Sequence, residues 1–474
     1  MQNAPAPHAE QERPVNTVAT HSGVGADARQ RPPTARRLSP WIPLLLFTLV
    51  VLVHSLSPVS QSSDSMWSVH IGLSIMREGN ADLDEYRDAV LSGPRYLYDT
   101  INGHVYSSYP IGTPLLVAPL VYVTDVGMRQ FCSAFPNAGG FLKGLRHERV
   151  EQVDAASFHR QVEVLVASLI VALTTVLVYF VGRQFLNRLL SILLACLFAF
   201  CTPAWSTASR ALWQHGPSML MLTAALLILL KAREKPFLAQ FASLPLAFSF
   251  VIRPTNALSI VGLTLFVAIR HRKYLVRYLA WSMLVVIPFV RYNLWLCHSV
   301  LPPYFSPHKV GASVHLLEGL AGNLISPSRG LFVFCPVLAF SVWGMVLSLK
   351  AREGRLLALT LVGVVLSHWL VVSSFPDWHG GHSFGPRYFA DMLPYLIYFL
   401  IPAVKWLAEA HGALRSWLIL LFVLLGLASL LINLNGAVNK ATYRWNSVPT
   451  DIDKRPRRLW DWTDLQFLRG IVKK

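Results

Sequence analysis

Hydropathy along the chain alternates regularly. Apolar runs of about 17–22 residues, the length a helix needs to cross a hydrocarbon core, are separated by short polar turns. The segments of about ten alternating residues that mark a membrane barrel are not found. The pattern therefore predicts an all-α polytopic membrane protein. Candidate spans fall near 41–57, 161–182, 189–204, 213–230, 237–252, 256–269, 278–292, 331–349, 356–374, 392–404 and 416–433. One further run, 112–128, is ambiguous.

Charge decides that case. Five basic clusters lie between the runs: Arg183 with QFLNR, KAREK (231–235), RHRKYLVR (270–277), KAREGR (350–355) and KWLAEAHGALR. If 112–128 does not cross, all five face the cytoplasm; if it crosses, all five face away. Cytoplasmic loops carry the Lys/Arg excess. The run is therefore expected on the outer surface, as an interfacial or re-entrant helix. About eleven spans result, with the N-terminus inside and the C-terminus outside. Arg36 and Arg37, just before the first span, agree with this orientation. The exported tail 434–474 is itself basic and does not, although late tails weigh less than the loops between spans.

Three parts follow. Residues 1–40, rich in Pro, Ala, Gln and Arg with no apolar period, read as a disordered cytoplasmic arm. Residues 41–433 form the transmembrane domain, with a long first outer loop at 58–160 carrying surface helices. Residues 434–474 are an outer-face tail. The arm is long and many spans follow it, so the first span does not read as a cleaved signal peptide. The membrane expected is the inner, cytoplasmic one, crossed many times.

Composition adds little and excludes one class. Of 474 residues, 53% are hydrophobic and 14% charged, against about 25% charged in a soluble domain. The net charge of +17 invites a nucleic-acid reading, but the basic residues sit in inter-span turns and read as a topology signal. The 58–160 loop, by contrast, holds 11 of the 25 acidic residues. Five cysteines form no C-x-x-C pair, so a zinc ribbon or redox motif is unsupported. Cys196 and Cys201 read as packing residues; a disulfide between Cys132 and Cys297 stays open.

Candidate chemistry gathers at the ends of the spans. Asp64, in QSSDSMW just past the first span, is either a costly acid at the membrane edge and hence functional, or the N-cap of the helix starting at WSVHIGLSIM. Asp82-Leu83-Asp84 and Asp451-Ile452-Asp453 are D-x-D pairs, which read as solvated turns or metal ligands. YSSYPIGTPLL (106–116) sets Tyr109 beside Pro110, Gly112 and Pro114, a bend that delivers a helix to the membrane or shapes a rim. SRALWQHGP (209–217) presents Arg210, Trp213 and His215. FVIRPTN presents Arg253, which seeks an anion or snorkels to lipid headgroups. The stretch DWHGGHSFGPRY (377–388) holds Asp377, His379 and His382, too loosely spaced for a convincing metal triad. Its glycines permit tight backbone turns, and Arg387 suits a phosphate because its planar fork matches the oxygens.

In order and topology, the acid after span one, the long outer loop, Y-S-x-x-P-x-G-T-P-L-L, L-W-x-H-x-P, I-R-P-T-N and G-G-x-S-F-G-P-R-Y together resemble the membrane glycosyltransferases of the C-type (GT-C) fold. The nearest in layout are the protein O-mannosyltransferases and the lipid A aminoarabinose transferases. The resemblance implies a sugar moved from a polyprenyl-phosphate carrier to a lipid, glycan or protein acceptor at the outer face. It implies Asp64 as catalytic base and Arg387 and Arg253 as holders of the donor phosphate. His215, Trp213, Tyr109, His379, His382 and Asp377 would line the site. No cofactor is required, and no metal site is assigned. Two departures stand out: Asp64 is followed by Ser65 where the mannosyltransferases carry Asp-Glu, and Tyr109 stands where the aminoarabinose transferases often carry Lys. One carboxylate suffices chemically. A glycosidase needs an acid because an alkoxide leaves poorly, whereas a polyprenyl phosphate leaves as a stabilised anion. A rival reading is a transporter or flippase of lipid-linked sugars, which would place polar groups at the bilayer midplane, often within internal repeats. No repeat is evident, and Glu163 and His368 are the ionisable groups lying within spans.

Overall fold

The computed structural model describes residues 40–135, 155–306 and 315–472. Residues 1–39 of the N-terminal arm, and Glu148, Glu151 and Asp154 of the first loop, lie outside the described residues. The unit from Trp41 onward is built almost wholly of helices, and one two-stranded hairpin is present.

Among the described residues, six helices are long and apolar enough to cross a membrane, and seven shorter apolar helices accompany them. Five of the eleven expected runs fall on the long helices and six on the shorter ones; the sixth long helix is the ambiguous run. α1 (Trp41–Leu56) is followed by a non-helical segment carrying Asp64 and then by α2 (Ser68–Arg77). The hairpin β1 (Tyr98–Ile101) and β2 (His104–Ser107) pairs antiparallel, with Asn102 and Gly103 both at positive φ in its two-residue turn. That hairpin was not expected from the sequence. An Asn-Gly pair is its local signal.

α3 (Gly112–Ala134) is the ambiguous run. It is 23 residues long and satisfies the length and hydropathy expected of a span. Its Val117 and Val121 pack with Val162 and Val166, in the first half of α4 (Ala155–Gly182), and the Arg129 guanidinium lies 4.7 Å from the Phe158 ring near the start of α4. α3 thus runs beside the first half of α4. At its other end Gly112 touches the end of the helix Ser243–Ile252: a Cβ there would stand 2.5 Å from the Val251 carbonyl, so a glycine is needed for the close approach.

The helices that follow are α5 (Arg188–Phe200), α6 (His215–Lys231), α7 (Ser243–Ile252), α8 (Ala257–Arg270) and α9 (Leu275–Cys297). Then come α10 (Leu316–Ile325), α11 (Ala339–Lys350), α12 (Arg355–Ser373), α13 (Leu393–Glu409) and α14 (Ala413–Val438). α13 is the most enclosed of the six long helices; its aliphatic and aromatic side chains belong to the largest core cluster, together with residues from α5, α6 and α12. α9 and α14 expose most of their apolar side chains. Apolar surface left outside a bundle is what a lipid-facing helix presents.

Contacts among Asp64, His215, Arg253, Arg387 and Asp391 bring together the segment after α1, the start of α6, the end of α7 and the approach to α13. Three of the five basic clusters meet elsewhere, around a cavity of about 550 Å³ lined by Arg233, Arg270, His271, Arg352 and Arg355 with Glu353. Arg233 pairs with Glu353 there.

The tail begins later than expected, because α14 runs on to Val438. Beyond it the chain is packed. Trp445, Ile452 and Leu459 form a small core with Trp378 of the 377–388 loop. Beside that core lies Arg329, fully buried. Its Nε donates to the His379 carbonyl (2.8 Å), Nη1 to the Ser328 carbonyl (2.7 Å) and Gln466 (2.9 Å), and Nη2 to the Gly381 carbonyl (3.0 Å) and Asn446 (2.7 Å). A guanidinium has five N–H donors, and all five are used. All five cysteines are free thiols, so the open pairing of Cys132 with Cys297 is not formed.

Candidate active site

Asp64 does not cap α2: Trp67 occupies the N-cap and no side chain caps that end. The Asp64 carboxylate instead pairs with the Arg387 guanidinium, 323 positions away in sequence. Two contacts hold the turn that carries it. Ser65 donates to the buried Glu163 carboxylate of α4 (2.6 Å), which also accepts from the Leu212 N–H (3.0 Å). Gln61 donates to the Ser206 carbonyl (2.8 Å). The stretch that presents Trp213 and the turn that presents Asp64 are thereby fastened to one another.

Arg387 is the centre of the arrangement. Its guanidinium carbon stands 3.9 Å from the centroid of the Trp213 ring, a cation–π stack in a largely desolvated place. Its Nη1 donates to the Gly380 carbonyl (3.2 Å) and its Nε to His215 Nε2 (3.3 Å). His215 Nδ1 in turn meets Asp391 Oδ1 at 3.1 Å. A ring that accepts at Nε2 and faces a carboxylate at Nδ1 carries its proton on Nδ1. Asp391 is fully buried and also pairs with Arg253 Nε at 2.9 Å. A continuous path results: Asp391, His215, Arg387, Asp64, with Arg253 alongside, its Nη1 3.2 Å from His215 Nε2.

Burial raises the Asp64 pKa, but the Arg387 charge and hydrogen bond, and a hydrogen bond from Tyr109, outweigh it and hold the carboxyl below its ordinary value. Burial, followed by the Asp64 charge, raises the Tyr109 phenol, so Tyr109 stays protonated and donates. Asp64, Tyr109, Trp213, His215, Arg253, Tyr304 and Arg387 all line one small pocket.

Three expected lining residues are elsewhere. Asp377, His379 and His382 are not among the residues of that pocket. Gly380, Gly381 and Gly385 adopt φ of +73°, +64° and +65°, and this left-handed backbone turns the loop so that Arg387 alone reaches inward. Asp377 is exposed. His379 is buried with Nδ1 accepting from the Gly381 N–H (3.2 Å), and burial first, then Arg329, lowers its pKa to about 4. His382 meets Asp451 at 3.1 Å and Asp453 at 3.6 Å.

Asp391 and Tyr304 were missed by sequence reasoning. Asp391 had a signal, a lone acid in FADML at the head of an apolar run; Tyr304 had none. The in-span groups are committed locally: Glu163 as above, and His368 Nε2 to the Tyr388 carbonyl at 2.9 Å. Arg210, named with Trp213 and His215, is fully buried and donates to the backbone carbonyls of Ser57 (2.9 Å) and Trp205 (3.1 Å) and to that of His54. Its role is to lock the end of α1. Among the described residues, two groups have ligand atoms close enough for a cation, Asp82–Asp84–His104 and His382–Asp451–Asp453. They are the two D-x-D pairs, each joined by a histidine, and neither includes a residue of the pocket.

No protein-family model matches the sequence. A search of curated proteins found no match either. Among solved structures, the oligosaccharyltransferase of Archaeoglobus fulgidus in complex with Zn and sulfate superposes with a TM-score of 0.51 at 12% identity, over 90% of this chain and 57% of that one. Its apo form gives 0.49 at 11% identity, over 91% and 61%. The chain therefore spans less than two thirds of the length of those structures. At this identity the likeness concerns the fold, which is GT-C-like.

Proposed function

We propose that the chain is a glycosyltransferase that moves a sugar from a polyprenyl-phosphate carrier to an acceptor hydroxyl at the outer face of the membrane. The observation that carries this reading is the meeting of Asp64 with Arg387 and Arg253, contributed by distant parts of the chain, in one pocket beside apolar helices. The likeness to an oligosaccharyltransferase fold supports it.

The chemistry is a single displacement. The acceptor oxygen attacks the anomeric carbon, its proton passes to Asp64, and the bond to the phosphate breaks with its electron pair leaving on the phosphate. The anomeric centre inverts. The two arginines offset Asp64 in the pocket and the buried Asp391 behind it, so an incoming phosphate competes with Asp64 for the Arg387 fork. Such pairing is charge-assisted and bidentate. Capture of the phosphate frees Asp64 from its cation, and the carboxylate becomes a stronger base when it is needed. His215, fixed by Asp391, keeps Arg387 Nε turned away from the carboxylate. Trp213 holds the guanidinium plane. A positioned base contributes about 10²–10⁴ in rate, and cations at the leaving oxygens stabilise the charge that develops there.

The direct test compares membrane glycolipids by mass spectrometry with the wild-type chain, with Asp64→Asn, and with no chain. Wild type should yield free carrier and one new glycosylated product. Asp64→Asn should yield neither while reaching the membrane at normal level. Near-normal product from that variant removes the proposed base.

A further inference from the structure

Beside the Asp64 pocket lies a second and larger cavity, of about 440 Å³, between the β1–β2 hairpin with the segment after it and the end of α9 with the turn after that. Tyr109 and Tyr304 line both spaces, and their rings stand 5.5 Å apart. They form the partition. Tyr109, on that partition, donates to the Asp64 carboxylate.

The lining is unusual in two ways. It carries four phenols, Tyr106, Tyr109, Tyr292 and Tyr304, with Phe305 beside them, and polar groups at Asp99 and Asn293. Among the described residues, its lining also contains no lysine or arginine. A phosphate finds hydroxyls there but no guanidinium or ammonium among the described lining residues, whereas Arg253 and Arg387 stand in the small pocket. Ile71, Ile101, Ile111, Phe289 and Leu296 stand in the same wall, but a hydrocarbon chain lying on them would leave the phenols, the carboxylate and the amide without partners. The groove between α5, α13 and α14, about 500 Å³ and lined by Leu193, Leu197, Phe200, Phe422, Leu427 and their neighbours, is the surface that suits a hydrocarbon. Rings that offer apolar faces, alternating with hydroxyl, amide and carboxylate groups, suit a saccharide, whose C–H faces stack while its hydroxyls hydrogen-bond.

We infer that this cleft is the acceptor subsite and that it takes a neutral, hydroxyl-bearing saccharide, which reaches Asp64 past the Tyr109–Tyr304 partition. The assignment to the acceptor rests on the reaction proposed above. In a single displacement the acceptor and the leaving phosphate occupy opposite faces of the anomeric carbon. Arg387 and Arg253 belong to the small pocket and not to the cleft, so the phosphate stays with them and the attacking hydroxyl comes from the cleft.

The test uses the full chain in lipid nanodiscs and photo-crosslinking with four probes: diazirine derivatives of maltose, cellobiose and chitobiose, and diazirine-tagged farnesol. At least one disaccharide should label peptides containing Tyr106 or Tyr292, and the same free disaccharide should suppress it. Tyr292→Ala should lower that labelling about tenfold, and Asp99→Ala, at an exposed position, about threefold, as expected for loss of a ring contact and of one hydrogen bond. Asp64→Asn should leave labelling intact, because it removes the base and not the cleft. Failure of the catalytic reading and failure of this one are thus separable. Labelling of these peptides by farnesol and by no disaccharide would overturn the inference, as would disaccharide labelling unmoved by both cleft variants.

Discussion

Arg329 offers the most demanding prediction, because every donor it has is spoken for. Replacing it with Met keeps much of the side-chain bulk and leaves five acceptors, the carbonyls of Ser328, His379 and Gly381 and the side chains of Asn446 and Gln466, without their partner. A hydrogen bond to a charged group contributes about 1.5–3 kcal/mol, but such bonds do not add when they share one donor group, and the cost of burying the cation disappears with it. The net loss expected is about 3–5 kcal/mol, the range for breaking a buried charged network. Arg329→Lys restores the charge with three donors and should recover part of it. Trp378 and Trp445 pack beside the network, so their fluorescence follows its melting in nanodiscs. The transition should fall by about 5 °C in the Met variant. Because Arg329 holds the carbonyls flanking Gly380, and Gly380 accepts from Arg387, the Met variant that still folds should also lose affinity for the donor more than turnover. An unchanged transition with unchanged donor affinity would refute the claim that this guanidinium fixes the loop.

The other predictions concern the pocket and its supports. Asp64 is held below its ordinary pKa, because the Arg387 and Tyr109 contacts outweigh the upward push of burial. Under the proposed reaction, activity should therefore persist to pH values below the ordinary carboxylate range, and in Arg387→Met the acid limb of kcat/KM should move up into or above that range; an unmoved limb separates Asp64 from the titration. The same depressed pKa makes the ion pair's contribution to stability complete above the unfolded carboxyl's pKa and lost as pH falls through the folded value, which acid unfolding of wild type against Arg387→Met would read. Asp391→Asn leaves Arg253 beside an uncharged amide in a buried place and should cost about 10²-fold or more in activity, by analogy with the 3–5 kcal/mol of a broken buried pair; activity within threefold of wild type would remove Asp391 from the pocket's support. Gly112→Ala drives a methyl to 2.5 Å from the Val251 carbonyl and should lower thermal stability by about 1–3 kcal/mol, read as a shifted melting curve.

Much of the site was legible in the sequence, for a physical reason. Ionisable residues at the ends of apolar runs are costly unless used, so Asp64, Arg253 and Arg387 announced themselves, and the structure brings the three into one pocket. The loop residues Asp377, His379 and His382 misled, because a motif shows which side chains are near in sequence but not how left-handed glycines turn them. Asp391 was hidden by being read as the edge of a span. Arg329 gave no signal at all: its partners come from 328, 379, 381, 446 and 466, and such a convergence exists only once the chain has folded. The short helices were blurred for another reason. Runs such as 189–204 and 331–349 contain helices of 13 and 12 residues, with the remaining length spent in turns whose side chains are equally apolar.

The packing of residues 446–466 across the loop that carries Arg387 bears on how the protein is made. Ribosomes deliver the chain from its beginning, so the carboxylate near residue 64 enters the membrane long before the stretch that braces its cation has been synthesised. A chain cut before residue 446 holds Asp64 and Arg387 but lacks Asn446 and Gln466, which hold Arg329 against the Arg387 loop. A stop codon just after α14 would leave the long apolar helices of the described residues made and that brace missing.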